Sequence, residues 1–536
     1  MASDFPFSAS NHPLPNKQRG RFFNRWHIPA VFVASAFAVS ALAETARADA
    51  QEVSKIEPIP EARAFVTEHR GRFNGVSVNY TARAGETYLR DINGKPRASI
   101  FTFGYQANDP KPGRPVTFVW NGGPGSASGW LHMGTFGPKR VVVPSDAQHA
   151  GNPPYPIVDA AETILDVTDL IFVDPVGTGY SRALGEHEGK EFWGLVEDAD
   201  SIAAFIRQWL SDNQRWNSPL FLLGESFGTT RAAMVADKLI NDYDTPVNGI
   251  VFISQALDYA GSSPYIADNL ISHVTYLPTM AATAYFHGKV EADGASLDEW
   301  VEQAREFAVE ALLPALFRGN TLADDTRASV QKELARLTGL SEDYIAQANL
   351  RVRGFRFAKE LLRSEGKVVG LLDARYTGDP VDDQTARTSF DAASNGISGA
   401  FKSALMSYLH AELAVSWDRV YLSPADPQLS EQWNWNPNGR DASWEPHWVN
   451  TAHNLVAAME ANPSLRLFVG SGYYDLITPF FDAEYTLNRY GINAERVDYR
   501  YYGGGHMMYV NEEARLKLLN DVRTFIKAQT SQPQAR

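Results

Sequence analysis

Residues 219–240 read PLFLLGESFGTTRAAMVADKLI. The first five are apolar and of a length that suits a buried strand, and TTRAAMVADKLI has the spacing of a helix. Between them stands Gly224-Glu225-Ser226-Phe227-Gly228. G-x-S-x-G alone is a common pentapeptide, but a strand before it and a helix behind it form the setting in which a sharp turn lifts the serine clear of a parallel sheet. Glycines two positions to either side permit that turn, and the serine falls at a helix start, where the dipole favours developing negative charge. Ser226 is therefore a candidate nucleophile, in need of a base and an acid that orients the base. In this kind of strand-turn-helix hydrolase the chain order is serine, acid, histidine.

Working outward, apolar strand candidates lie at Val116–Trp120, Leu170–Asp174, Leu220–Leu223 and Ile250–Ser254, with helical patterns such as Phe192–Leu210 between some of them. That alternation predicts an α/β fold with a mainly parallel sheet. Upstream, Phe65–Ala107 reads as short alternating segments, with Asn93-Gly94 as a hairpin turn. From about Leu257 to Ala461 the strand signal fades and helices dominate, including Asp298–Leu313 opened by a Ser296-x-x-Glu299 capping box, Ser329–Leu337 and Phe401–Val415. Strands return at Leu465–Val469 and Arg496–Tyr502, and a helix near Glu512–Ala528 closes the chain. The division that follows is a leader over 1–50, a sheet domain over 51–256 that begins with hairpins, a mainly helical cap over 257–462, and the rest of the sheet domain over 463–536. No internal repeat or low-complexity linker is present.

Both missing partners have suitable settings downstream. The strand at 465–469 runs into GSGYYD, which places Asp475 in a loop just past a strand, and the strand at 496–502 runs into GGGH, which delivers His506 from a glycine loop. The order Ser226, Asp475, His506 fits the class. His132, His410 and His447 are competing bases without this strand-then-loop setting. Upstream, VTFVW leads into Trp120-Asn121-Gly122-Gly123-Pro124-Gly125-Ser126-Ala127-Ser128, the place for a second oxyanion donor, where glycines let backbone N–H groups approach a carbonyl. No H-E-x-x-H occurs, so the histidines make no case for a metal, and the chemistry calls for no cofactor.

Composition narrows the class further. The 536 residues carry 49 Lys plus Arg against 63 Asp plus Glu, a net charge of −14, which argues against a nucleic-acid binder. Cysteine is absent, which removes disulfides, thiolate catalysis and Cys-ligated metals. Lys17, Arg19, Arg21 and Arg25 precede the apolar run Ile28–Ala43, which is short for a membrane span, and A-x-A sites follow at Ala41–Ala43 and Ala48–Ala50. This pattern predicts a cleaved secretory signal and a periplasmic or secreted protein, with an uncleaved anchor as the alternative. Residues 1–50 hold five basic and three acidic residues, so cleavage after Ala50 leaves a net charge of −16.

Taken together, WNGGPGSAS at 120–128, FVDPVGTGYS at 172–181, GESFG at 224–228, YYDLITP at 473–479 and GGGH at 503–506 resemble the serine carboxypeptidase family. The resemblance implies an α/β-hydrolase fold with an insertion over the active site. It also implies Ser226 as nucleophile, His506 as base and Asp475 as orienting acid, with the backbone N–H groups of Gly123 and Phe227 forming the oxyanion hole. Asn121 and Glu225 match positions that bind the substrate's terminal carboxylate, and Tyr180 matches a position lining the pocket for the residue before the cleaved bond. Three departures stand out: Ser126 replaces a cysteine, Phe227 replaces a tyrosine, and Thr135 occupies the place of a second carboxylate-binding glutamate. Crowded acids share protons, so one glutamate predicts weaker acid dependence or a different way of reading the C-terminus. His132, Arg231 or a group from the cap could supply a donor instead, although Arg231 also reads as a structural helix residue. The functional expectation is an exported serine carboxypeptidase acting on peptides, free of nucleic acid and of the membrane once the leader is removed. An esterase or acyltransferase with the same triad is the alternative that Thr135 keeps open. A binding protein on a hydrolase scaffold should have lost a triad member, and all three are present. Oligomeric state and side-chain preference are not readable.

Overall fold

A computed structural model describes residues 59–263, 269–382, 384–423, 425–436, 449–489 and 491–530. The segment expected to be a leader lies outside them, as does His447. The main sheet is built from β1 (Ala64–Phe73), β2 (Val76–Arg90), β3 (Pro96–Ala107), β4 (Val116–Trp120), β5 (Asp169–Asp174), β6 (Leu220–Glu225), β7 (Gly249–Ile253), β8 (Arg466–Gly472) and β9 (Val497–Tyr502). Their order across the sheet is β1-β2-β3-β5-β4-β6-β7-β8-β9, and a two-residue strand at Arg182–Ala183 pairs with β3. The six strands from β5 to β9 in that order are parallel to one another, while β1, β2 and β3 form an antiparallel edge that joins at β5. The alternation of strands and helices predicted this mainly parallel sheet, and the α/β-hydrolase fold is the one the resemblance implied.

The hairpins differ from expectation in length: they are strands of 10, 15 and 12 residues. Along β1 exposed and half-buried residues alternate and only Phe73 is buried. The half-buried positions are Phe65, Thr67, His69 and Gly71, so the strand lacks the one-sided apolar alternation from which strand length is read. Asn74 and Gly75, with φ of 48° and 82°, make the two-residue turn between β1 and β2. At the second hairpin Asp91 accepts from the backbone N–H of Asn93 and Lys95, both at 2.8 Å, around Gly94.

Alternation along the central strands divides the core into two layers. Leu220 and Leu222 of β6 and Ile250 and Phe252 of β7 face the helices Leu195–Asp212, Phe227–Asp237 and Ala452–Ala461. Phe221, Leu223, Val251 and Ile253 face the closing helix Glu512–Thr530 and the long helix Ala392–Ala411. A third core, around Trp300, Leu312, Leu337 and Phe357, belongs to helices between Leu277 and Glu360. Ser296 and Glu299 make the expected reciprocal cap at the start of the helix Leu297–Phe307. The segment read as one cap over 257–462 thus has two parts: helices that build the third core together with Tyr474, Leu476 and Phe480, and two helices, Ala392–Ala411 and Ala452–Ala461, that cover the sheet.

Candidate active site

From Leu220 to Ala236 every residue is buried except Ser226, which is only partly buried. β6 ends at Glu225 and the helix begins at Phe227, so the reversal falls on one residue, with φ 60° and ψ −131° at Ser226. A positive φ on a residue with a side chain costs on the order of 1–3 kcal/mol and persists only where its surroundings hold it. Here the N–H of Ser226 donates to Ile253 O at 2.9 Å, and its carbonyl accepts from the N–H and the Oγ1 of Thr229 at 2.8 and 2.7 Å. The flanking glycines are sterically required. A Cβ on Gly224 would strike the carbonyl of Gly228, and one on Gly228 would come within 2.9 Å of Trp120 Cδ1.

Asp475 and His506 sit just beyond the carboxyl ends of β8 and β9, the side of the sheet to which β6 delivers Ser226. Asp475 is fully buried, and its Oδ1 accepts from the N–H groups of Ile477 and Thr478 at 2.8 and 2.9 Å. Its Oδ2 accepts from Thr478 Oγ1 and from His506 Nδ1, both at 2.8 Å. A carboxylate on Nδ1 makes that nitrogen the N–H and leaves the lone pair on Nε2, the arrangement a general base needs. Burial by itself pulls the His506 pKa down, but the charge and hydrogen bond of Asp475, with the charge of Glu225, push it above the ordinary value.

A strap from the insertion, Leu371–Arg375, holds both loops. Leu476 N–H donates to Leu371 O at 2.9 Å, His506 N–H to Leu372 O at 2.6 Å and Gly505 N–H to Asp373 Oδ2 at 3.1 Å, while Ala374 N–H donates to Tyr474 O at 2.9 Å. Asp373 is itself paired with the buried Arg375 at 2.6 Å. Nothing in the sequence pointed to this strap.

The glycine loop after β4 lies against the serine turn. A Cβ on Gly122 would come within 2.6 Å of Phe227 N and 2.8 Å of Ser226 Cβ. Among the described residues, no protein group accepts from the N–H of Gly123 or of Phe227, so both are free for a ligand oxygen. Asn121 takes the N–H of Leu131 on Oδ1 at 3.1 Å, which turns its Nδ2 toward Glu225 Oε1 at 2.8 Å. The other oxygen of Glu225 accepts from the hydroxyl of Tyr509 at 2.7 Å. Burial raises the Glu225 pKa, against the lowering effects of His506 and of the Tyr509 and Asn121 hydrogen bonds.

The remaining candidates are placed elsewhere. Arg231 is buried in an ion pair with Asp198 at 2.6 Å, and it donates to Asn121 O at 2.9 Å. It therefore supports the loop from behind, and its guanidinium is committed. His132 is enclosed by Phe103, Tyr105, Phe172 and Tyr408, with Nε2 2.6 Å from the Tyr105 hydroxyl, and burial pushes its pKa down to about 3. His410 bonds Val415 O through Nδ1 at 2.8 Å. Tyr180 is only 1% exposed and packs among Phe101, Trp417 and Tyr421, so its ring stands behind the surface and not on an open pocket wall. Thr135 is buried in the helical turn His132–Phe136. Phe227 meets Trp433 and Trp435 edge to face, and a recess of about 860 Å³ beside Trp433 is lined by Gly177, Trp193, Asp426 and Gln432 but by none of Ser226, Asp475 and His506. Among the described residues, no group of three or more His, Cys, Asp or Glu is placed to hold a metal ion.

The family model described as serine carboxypeptidase matches residues 77–520, from β2 to the closing helix. The chain belongs to the serine carboxypeptidase family. It is a serine-type peptide hydrolase on an α/β-hydrolase fold. No curated protein sequence matches it. Solved structures similar to this serine carboxypeptidase relative include a proline iminopeptidase from Mycobacterium smegmatis, 13% identical with a TM-score of 0.35 over 84% of this chain and 98% of that one. A juvenile hormone epoxide hydrolase from the silkworm Bombyx mori is 13% identical, with a TM-score of 0.32 over 84% of this chain and 79% of that one. A carboxyl esterase from Bacillus coagulans is 12% identical, with a TM-score of 0.32 over 83% and 98%. Likenesses this distant add nothing to the assignment. Among the described residues no helix is long and apolar enough to cross a membrane.

Proposed function

We propose that this serine carboxypeptidase family member is exported to the periplasm or beyond and removes C-terminal residues from peptides through a Ser226–His506–Asp475 triad. The observation that carries the reading is the buried Asn121–Glu225 pair, on residues adjoining the glycine loop and the serine itself. With Glu225 protonated, the pair offers a proton donor to a substrate's terminal carboxylate beside Ser226. Ser226 Oγ attacks the scissile carbonyl while Nε2 of His506 takes its proton, and the oxyanion forms against the N–H groups of Gly123 and Phe227. The C–N bond then breaks, and His506 returns the proton to the departing amine. Water, deprotonated by His506, hydrolyses the acyl-enzyme and regenerates Ser226. Asp475 keeps the imidazole in its tautomer throughout.

The test uses the purified protein and one N-blocked dipeptide, supplied as free acid and as C-terminal amide, from pH 4 to 8. Release of the last amino acid from the acid, with the amide much slower, is expected. Equal rates, or cleavage of a matching ester alone, would favour the esterase or acyltransferase reading, for which the replacement of a second acid by Thr135 is the one specific observation.

A further inference from the structure

The resemblance places a second acid at position 135, yet Thr135 is buried there and, among the described residues, its hydroxyl has no hydrogen-bond partner. The space beside it is occupied from another direction. Tyr509, three residues past His506 in the short turn Met508–Val510, is 2% exposed, and its ring fills the room left by Gly134. A Cβ on Gly134 would lie 2.6 Å from Tyr509 Cε2 and 2.9 Å from Phe401 Cε1. The phenol donates to Glu225 Oε2 while Asn121 donates to Oε1. One carboxyl is thus gripped by the His506 loop on one side and the glycine loop on the other.

We infer that Tyr509 is a specificity-determining residue that takes the place of the second acid, holding Glu225 so that one carboxyl with one exchangeable proton reads the substrate's C-terminus. This rests on the carboxypeptidase reading above. A phenol suits the task because burial pushes its ionisation well above the ordinary value, with the charge of Glu225 adding to this when that carboxyl is ionised, so it stays a neutral donor where a second carboxyl would compete for a proton. Two facing carboxylates repel, so Glu225 must be protonated when the substrate carboxylate docks. Recognition is then lost as pH rises through the Glu225 pKa. The charged and polar groups facing Glu225 are His506, Asp475, Tyr509 and Asn121. A donor to the ionised form lowers a carboxyl pKa, so Tyr509 sets the upper edge of the window.

The experiment follows kcat/KM for a free-acid peptide divided by kcat/KM for its methyl ester across pH, in the full-length protein and in Tyr509→Phe. Loss of a hydrogen bond to a buried charge should move the midpoint of that ratio up by about one to two pH units. Gly134→Ala displaces the ring without removing the hydroxyl and should move it the same way. A merely structural tyrosine would change rates or stability and leave the midpoint in place. A ratio that titrates in the unaltered protein but has the same midpoint in both variants overturns the role of Tyr509 alone. No preference for the free acid at any pH overturns the carboxypeptidase reading, and this inference with it.

Discussion

Ser226 is held in a conformation that only its neighbours can maintain, and the tightness of that hold makes single substitutions informative. Ser226→Ala should abolish both turnover and labelling by a serine-directed phosphonate while the far-UV circular dichroism is unchanged. Labelling that survives would remove Ser226 as nucleophile. Gly122→Ala puts a methyl 2.6 Å from Phe227 N, which must separate the glycine loop from the serine turn. Removal of one oxyanion donor costs on the order of 10²–10³ in kcat, and a loss in that range is expected with KM little altered. Asp475→Asn has two expected consequences. The tautomer of His506 is no longer enforced, so kcat should fall by about 10³–10⁴. The charge that raises His506 is also removed. A base with a raised pKa stays protonated to higher pH, so the acid limb of kcat/KM should lie above 6.5 in the native enzyme and move down in the variant. An unmoved limb in the pH profile would show that another group sets it.

The placement of Asp475 and His506 was legible because each follows a strand at the carboxyl edge of a parallel sheet, the edge whose loops line sites in open α/β folds. Local sequence is enough to read such a loop. The strap Leu371–Arg375 was not legible, since it lies between the short strand Val368–Val369 and the turn before Thr377–Gly378, and its partners at Leu476, Gly505 and His506 are more than 100 residues away. Neither periodicity nor motif marks such a contact. Tyr509 is hidden for the same reason, because the feature that makes room for it is the missing side chain of Gly134, 375 residues upstream. Arg231 read as a structural helix residue, and only the packing of its helix on Leu195–Asp212 shows it buried against Asp198. The strap makes a definite demand. Asp373→Ala leaves Arg375 buried without its partner and Gly505 N–H without its acceptor, an imbalance of about 3–5 kcal/mol by comparison with broken buried ion pairs. Thermal stability should drop, and kcat should fall about 10²-fold through misplacement of His506. If calorimetry records the loss of stability while the rate of phosphonate labelling per folded molecule is unchanged, the strap is a stabilising element and does not position the base.

The chain contains no cysteine, so no disulfide ties the layers around the site, and packing, hydrogen bonds and buried ion pairs hold it. The insertion's core is not closed on itself: Tyr474, Leu476 and Phe480, which flank Asp475, are buried in the same cluster as Trp300, Leu337 and Phe357. The loop bearing Asp475 is thus packed on one side by the sheet domain and on the other by helices that carry none of Ser226, Asp475 and His506. Such an arrangement should couple the folding of the insertion to the competence of the triad, although the two lie on different elements. Leu337 is fully buried, and Leu337→Ala should cost about 2–5 kcal/mol in a cavity far along the chain from Ser226, Asp475 and His506. With shared packing, the thermal midpoint read by activity and that read by circular dichroism should fall together and by the same amount. An insertion that merely rests on the sheet would behave differently: its helices would melt first, and peptide hydrolysis would persist, with altered selectivity, through that first transition. Two separated transitions in the variant, with activity lost only in the second, would show that the insertion shapes access to the site without holding Asp475 in place.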